Sequence, residues 1–249
     1  MWQVIHEELK DKGLQIIGVA FDTAGKAAVE ANILAEDIAE RPEVLARLMG
    51  WAPELWDKQS PPTYPCLIDE NHEVAALYGM VNVPQGVWID ESGQIVRPPE
   101  SAGTTSMVRH MDRETFEVPD AAAEEGFAIR TAYVDALRDW VDKGDKSDFV
   151  LPAEEAKKRL RGPELADVVA AAHVRLAKHL YGQGNIERAK HHFDAAVELC
   201  PDKWNYRRQA MMLEPESVGE LCAGPEFFAA VDALGDEPYY PHADLTPVR

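Results

Sequence analysis

Residues 78 to 96, "YGMVNVPQGVWIDESGQIV", constrain the fold more tightly than any other stretch. Gly79 is placed to close the helical pattern "NHEVAALYG" that leads into it, because glycine takes the left-handed stop conformation at little steric cost. Pro84 has no amide hydrogen to give to a ladder, so a strand starts at it or after it. "GVWID" and "QIVRP" then flank "ESG", which predicts two antiparallel strands joined by a tight loop. A helix, a Val-Pro step and a hairpin in that order leave few architectures open.

The upstream residues narrow them further. Trp2, Ile5 and Leu9 recur at helical spacing over residues 1 to 12, and Gly13 ends that helix. "LQIIGVAF", residues 14 to 21, is a near-continuous apolar run of strand length, which predicts a central position covered on both faces. Two helical stretches follow within 26 to 58, divided at Pro42, with Pro53 breaking the second. "SPPTYP" is a turn-rich connector, "CLID" a short strand, and "NHEVAALYG" the helix before the Val-Pro step. This alternation predicts an α/β layer with a mixed sheet.

From residue 97 to 126 the chain is polar, with Pro and Gly near its ends, and reads as a long connector with room for a short helix. Beyond it the pattern is helical: Ile129, Tyr133, Ala136, Leu137 and Trp140 form one apolar stripe, and Gly144 ends it. Residues 170 to 204 resemble one tetratricopeptide unit, with Leu176, Ala177, Leu180, Gly184, Ala189, Phe193, Ala196 and Pro201 at that motif's spacing. The small residues let two antiparallel helices approach, and Gly184 makes the turn. Only one unit is present, so a helical hairpin is expected rather than a peptide-binding array.

Composition excludes some classes. The chain has 249 residues, 46% of them hydrophobic, enough for a real core. Asp and Glu number 44 against 25 Lys and Arg, a formal charge of -19. Such a surface repels phosphate backbones and anionic headgroups, so no nucleic-acid or membrane partner is expected. The N-terminus has no signal-peptide pattern, and the expected location is cytoplasmic. Cys66, Cys200 and Cys222 are widely spaced and odd in number, which fits neither a disulfide framework nor a metal site. His191 and His192 are adjacent and face different ways, and His173 and His179 are six apart, so no metal is expected, and no other cofactor. Asp37 and Glu54 read as solvated helix faces.

"TYPCLIDENHEVAALYGMVNVPQGVWIDESGQIVRP" resembles the second half of thioredoxin-like redoxins of the TlpA/ResA type. The match rests on Tyr64-Pro65, Leu67-Ile68-Asp69, Leu77-Tyr78-Gly79, Val83-Pro84, Trp88-Ile89-Asp90 and Gly93, with "KDKGLQIIGVAFD" similar to the family's second strand and its lead-in. The helical C-terminal region, with "NYRRQ" and "EPYYP", resembles the ResA-like subset with a WAxxUGC motif.

The resemblance implies a thioredoxin-like domain over 1–117, lacking its first strand and redox motif, and a helical region over 118–249. It implies that Pro84 is a cis proline and that Val83 offers its backbone to a substrate segment. The activity implied is thiol–disulfide exchange or peroxide handling on a protein or peroxide substrate, without a cofactor. The sequence departs from the family in having no Cys-x-x-Cys. The catalytic cysteine or selenocysteine is expected upstream of residue 1, in a longer product, and the chain as it stands is expected to be inactive. Cys66 reads as a packing residue, with a resolving thiol as the alternative. The competing functional expectation is a non-catalytic interaction module that docks a protein partner beside Leu176 and Leu180.

Overall fold

The computed structural model describes residues 2–34, 61–160, 162–213, 222 and 224–248. The expected helical stretches around Pro42 and Pro53, with Asp37 and Glu54, lie outside the described residues.

Helix α1 (Trp2–Leu9) runs through a 3-10 turn into Gly13, as its apolar spacing requires. Ile5 and Leu9 are fully buried. Strand β1 (Gly18–Ala20) is much shorter than the apolar run that contains it. It pairs in parallel with β2 (Cys66–Ile68), Gly18 opposite Cys66 and Ala20 opposite Ile68. Among the described residues β1 has no second partner, and Ile17 beside it is 58% exposed. Among the described residues β1 thus has one strand neighbour, and its three residues are half-buried.

Helix α2 (Lys26–Ile33) follows β1, and α3 (Glu73–Tyr78) follows β2. The carboxylate of Asp69, at the end of β2, accepts the amides of Glu73 at 2.9 Å and Val74 at 2.8 Å, and so satisfies the first turn of α3. Gly79 then closes α3 at φ 67°.

The predicted hairpin is β3 (Gln85–Ile89) and β4 (Ile95–Ser101), antiparallel, with Trp88 opposite Arg97. Asp90 holds the turn by accepting the amides of Ser92 and Gln94, both at 2.9 Å. Strand β4 carries Pro98 and Pro99, which it tolerates because its second edge is unpaired among the described residues. It also extends into the stretch expected to be connector. Among the described residues the four strands form two ribbons, one parallel and one antiparallel, rather than one mixed sheet.

Helix α4 (Asp120–Lys143) is 24 residues long and begins several residues before its apolar stripe, at Pro119. Tyr133, Val134, Ala136 and Leu137 pack with Ile5 and Leu9 of α1 and Trp88 of β3 into one core. The α/β part therefore draws its core from both sides of residue 117. Helix α5 (Ala153–Arg159) rests against β4.

Helices α6 (Leu165–Gly182) and α7 (Ile186–Leu199) form the expected hairpin, turning at Gly184 with φ 73°. Ala170, Ala177, Ala189, Phe193 and Ala196 are completely buried where the two helices meet. Leu180 points into this core, but Leu176 is 42% exposed and does not. Helix α8 (Trp204–Met211) caps the hairpin through Tyr206 and Ala210. A third cluster joins α9 (Pro225–Asp232) to Met107, Met111, Trp204, Tyr239 and Tyr240. The architecture is thus α/β followed by a helical region. Among the described residues no helix is long and apolar enough to cross a membrane.

Candidate functional site

Val83 and Pro84 sit between the end of α3 and the start of β3, and the peptide bond between them is cis. The loop is tied down from within. Gln85 turns its side-chain oxygen back to accept the Val81 amide at 2.8 Å, and the Asn82 side-chain oxygen accepts the Val83 amide at 2.9 Å. The Pro84 carbonyl accepts from Ala102 at 3.2 Å.

The helical region supplies the remaining contacts. The amide of Asn205, at the start of α8, donates to the Val81 carbonyl at 3.1 Å. The Asn82 side chain donates to the Tyr239 carbonyl at 3.3 Å. Tyr240 donates its phenolic hydrogen to the Val83 carbonyl at 2.6 Å. Burial pushes the Tyr240 phenol well above its ordinary range, so it keeps that proton throughout the usual pH range. Both backbone groups of Val83, its N–H and its C=O, are therefore occupied by this chain's own side chains.

A second junction lies at the C-terminal ends of the parallel strands. Thr23, just past β1, donates its amide to Gln209 of α8 at 2.7 Å. Its hydroxyl lies 3.3 Å from Nε2 of His72, which precedes α3. His72 is buried between Phe21 and Tyr206. Burial lowers its pKa to about 4, against a smaller opposing pull from Asp69. The imidazole is neutral at pH 7, and among the described residues no carboxylate is bonded to its other nitrogen, where a catalytic dyad places its orienting partner.

The three thiols are free. Cys66 lies on β2 with its Sγ 3.6 Å from the Tyr64 carbonyl, half-buried. Burial raises its pKa, and burial is also the leading cause at Cys200 and Cys222. At Cys200 the nearby Asp167 carboxylate adds to the rise, while Arg208 offsets part of it at Cys222. At all three sites burial prevails, even at Cys222 beside the Arg208 cation that would otherwise favour a thiolate. Cys66 is half-buried and belongs to none of the three buried clusters described above.

Sequence reasoning missed Tyr240, His72 and the approach of His173 to His192. None carries a local signal, because each partner is dozens of residues away or on another helix. Scans of family models, curated proteins and solved structures find no match to this chain.

Proposed function

We propose that the chain is a thioredoxin-like redoxin scaffold of the TlpA/ResA type whose Val83–Pro84 loop is capped by its own Asn82 and Tyr240, and that it performs no thiol–disulfide exchange or peroxide reduction itself. The supporting observation is the order of elements: a parallel β1–β2 pair, α3, the Val83–Pro84 step, and an antiparallel β3–β4 hairpin packed on α1. The thiols fit the same role, since burial pushes each of them away from the reactive range. Insulin-disulfide reduction and peroxide turnover by the pure chain test this. No rate above the chemical background is expected. A sustained rate that disappears in Cys66→Ser would overturn the proposal and make Cys66 a nucleophile.

A second reading, a non-catalytic interaction protein, draws on a different observation. Leu165, Val168, Val169 and Leu176 follow helical spacing along the outer side of α6 and are all partly or largely exposed. Leu180 is not part of this stripe, because it turns inward to the hairpin core. In this reading Val168→Ser with Leu176→Ser abolishes partner binding and leaves the fold intact. Unchanged binding would remove the α6 stripe as the docking face.

A further inference from the structure

The α6–α7 hairpin brings His173 and His192 together. Their Nδ1 atoms are 3.0 Å apart, and the rings are tilted by 40° with centroids 5.2 Å apart. The residue after each histidine, Val174 and Phe193, is buried in the hairpin core. The imidazoles thus sit at the half-buried edge of the hairpin seam, each one residue from its core.

The contact dictates a protonation state. Two imidazole nitrogens at this distance form a hydrogen bond only if one carries a proton and the other offers its lone pair. The pair holds when both rings are neutral, or when one is imidazolium. It cannot hold when both are, because two N–H donors and two positive charges then meet.

Among the described residues no carboxylate offsets a second charge on His192, and Asp194 on the same helix acts on Lys190 and His191 instead. One turn away from His173 on α6 are Val169, Ala170, Leu176 and Ala177. One turn away from His192 on α7 are Arg188, Ala189, Ala195 and Ala196. The ring of His191 packs 5.3 Å from His192. On α8 and its approach the cations are engaged elsewhere: Lys203 with Asp167, Arg207 over Trp204, and Arg208 beside Cys222. Burial, then His173, His191 and Arg188 in turn, all hold the His192 imidazole below its ordinary value. Among the described residues His173, His191 and His192 do not converge as a group that could hold a metal ion, and Arg188 disfavours a dication. The site is suited to a proton rather than to a metal.

We propose that His173 and His192 form a proton-operated latch across the α6–α7 hairpin, closed by one shared hydrogen and released when both imidazoles are protonated in mild acid. Release falls below the ordinary histidine value, because the second proton must join a pair that already carries one charge.

Histidine side-chain NMR across pH 4.5 to 8 tests the latch in the full chain, His173→Gln and His192→Gln. Wild type is expected to show two midpoints for the pair separated by about one pH unit or more. In His173→Gln the His192 midpoint should rise by a similar amount. Amide exchange of Val174 and Phe193, corrected for intrinsic rate and taken relative to Tyr133, should quicken about tenfold between pH 7 and 5 in wild type and stay flat in His173→Gln. Coincident midpoints in wild type, an unmoved His192 midpoint in the variant, or equal quickening in both proteins would each overturn the proposal. If one variant fails to fold, the other and the wild-type midpoints still decide it.

Discussion

Tyr240 donates its phenolic hydrogen to the carbonyl of Val83 across 2.6 Å, joining the C-terminal tail to the loop that opens the hairpin. Asn82 adds a second tie to the same tail through the Tyr239 carbonyl. The loop and the tail are therefore one packed unit, although they lie 157 residues apart.

Tyr240→Phe should cost about 1–3 kcal/mol, because it leaves the Val83 carbonyl without its partner in a site that water does not reach freely. Urea denaturation monitored by circular dichroism measures this. An unchanged midpoint would mean that the phenol contributes nothing to holding the tail.

Gly86 and Tyr133 are predicted to be energetically coupled. A Cβ on Gly86 would come within 2.6 Å of the Tyr133 hydroxyl, which cannot swing away because it accepts the Trp88 indole hydrogen at 2.9 Å. Gly86→Ala should therefore destabilise by about 1–3 kcal/mol. In the Tyr133→Phe background the same change should cost clearly less. A double-mutant cycle in urea reads the coupling, and strict additivity would contradict the contact.

Arg97 is completely buried and grips Glu100 with two hydrogen bonds, Nε to Oε1 at 2.6 Å and Nη2 to Oε2 at 2.9 Å. It also donates to the carbonyls of Phe149 at 2.8 Å and Asp244 at 2.6 Å. Arg97→Met should cost about 3–5 kcal/mol, since it strands a poorly solvated carboxylate. Adding Glu100→Leu should recover a substantial part of that loss. Proteolysis of the tail around Asp244 should quicken in both variants, because each loses the carbonyl clamp. Equal stability of Arg97→Met and wild type would contradict this account.

His72 gives the stability curve an acid limb. Its folded pKa of about 4 lies below the ordinary 6.5, so the unfolded chain binds more protons between those values. Stability contributed by the neutral, buried imidazole is complete above pH 6.5 and is lost as pH falls toward 4. The loss approaches about 3 kcal/mol. His72→Asn keeps a residue tolerant of the left-handed backbone at φ 56° and should flatten this limb. Urea midpoints at half-unit pH steps measure it. Identical slopes in the two proteins would show that His72 titrates normally.

What could be read from the sequence was local or periodic. Gly79 and Gly184 marked helix ends because each must take a positive φ. The hairpin followed from Pro84 and the "ESG" loop. The α6–α7 core followed from the spacing of Ala177, Ala189, Phe193 and Ala196, all of which are fully buried.

The misreadings have physical causes. "AAAEEG" was expected to be connector because it lacks an apolar face, yet it forms the first turns of α4, where Gly126 gives Met107 room against the helix. Leu176 fits a motif position but faces outward, since spacing does not fix what lies opposite a residue. The caps on Val83, the Thr23–His72–Gln209 junction and the histidine pair depend on tertiary approach, which composition and period do not encode.

The central claim, that this scaffold carries no reactive thiol, is tested most directly by the pH dependence of iodoacetamide alkylation, followed separately at Cys66, Cys200 and Cys222 by mass spectrometry. Alkylation should rise at each site only above the ordinary thiol value of 9.0. A half-maximal rate at any of the three near or below about pH 7, the range of activated thiolates, would contradict it.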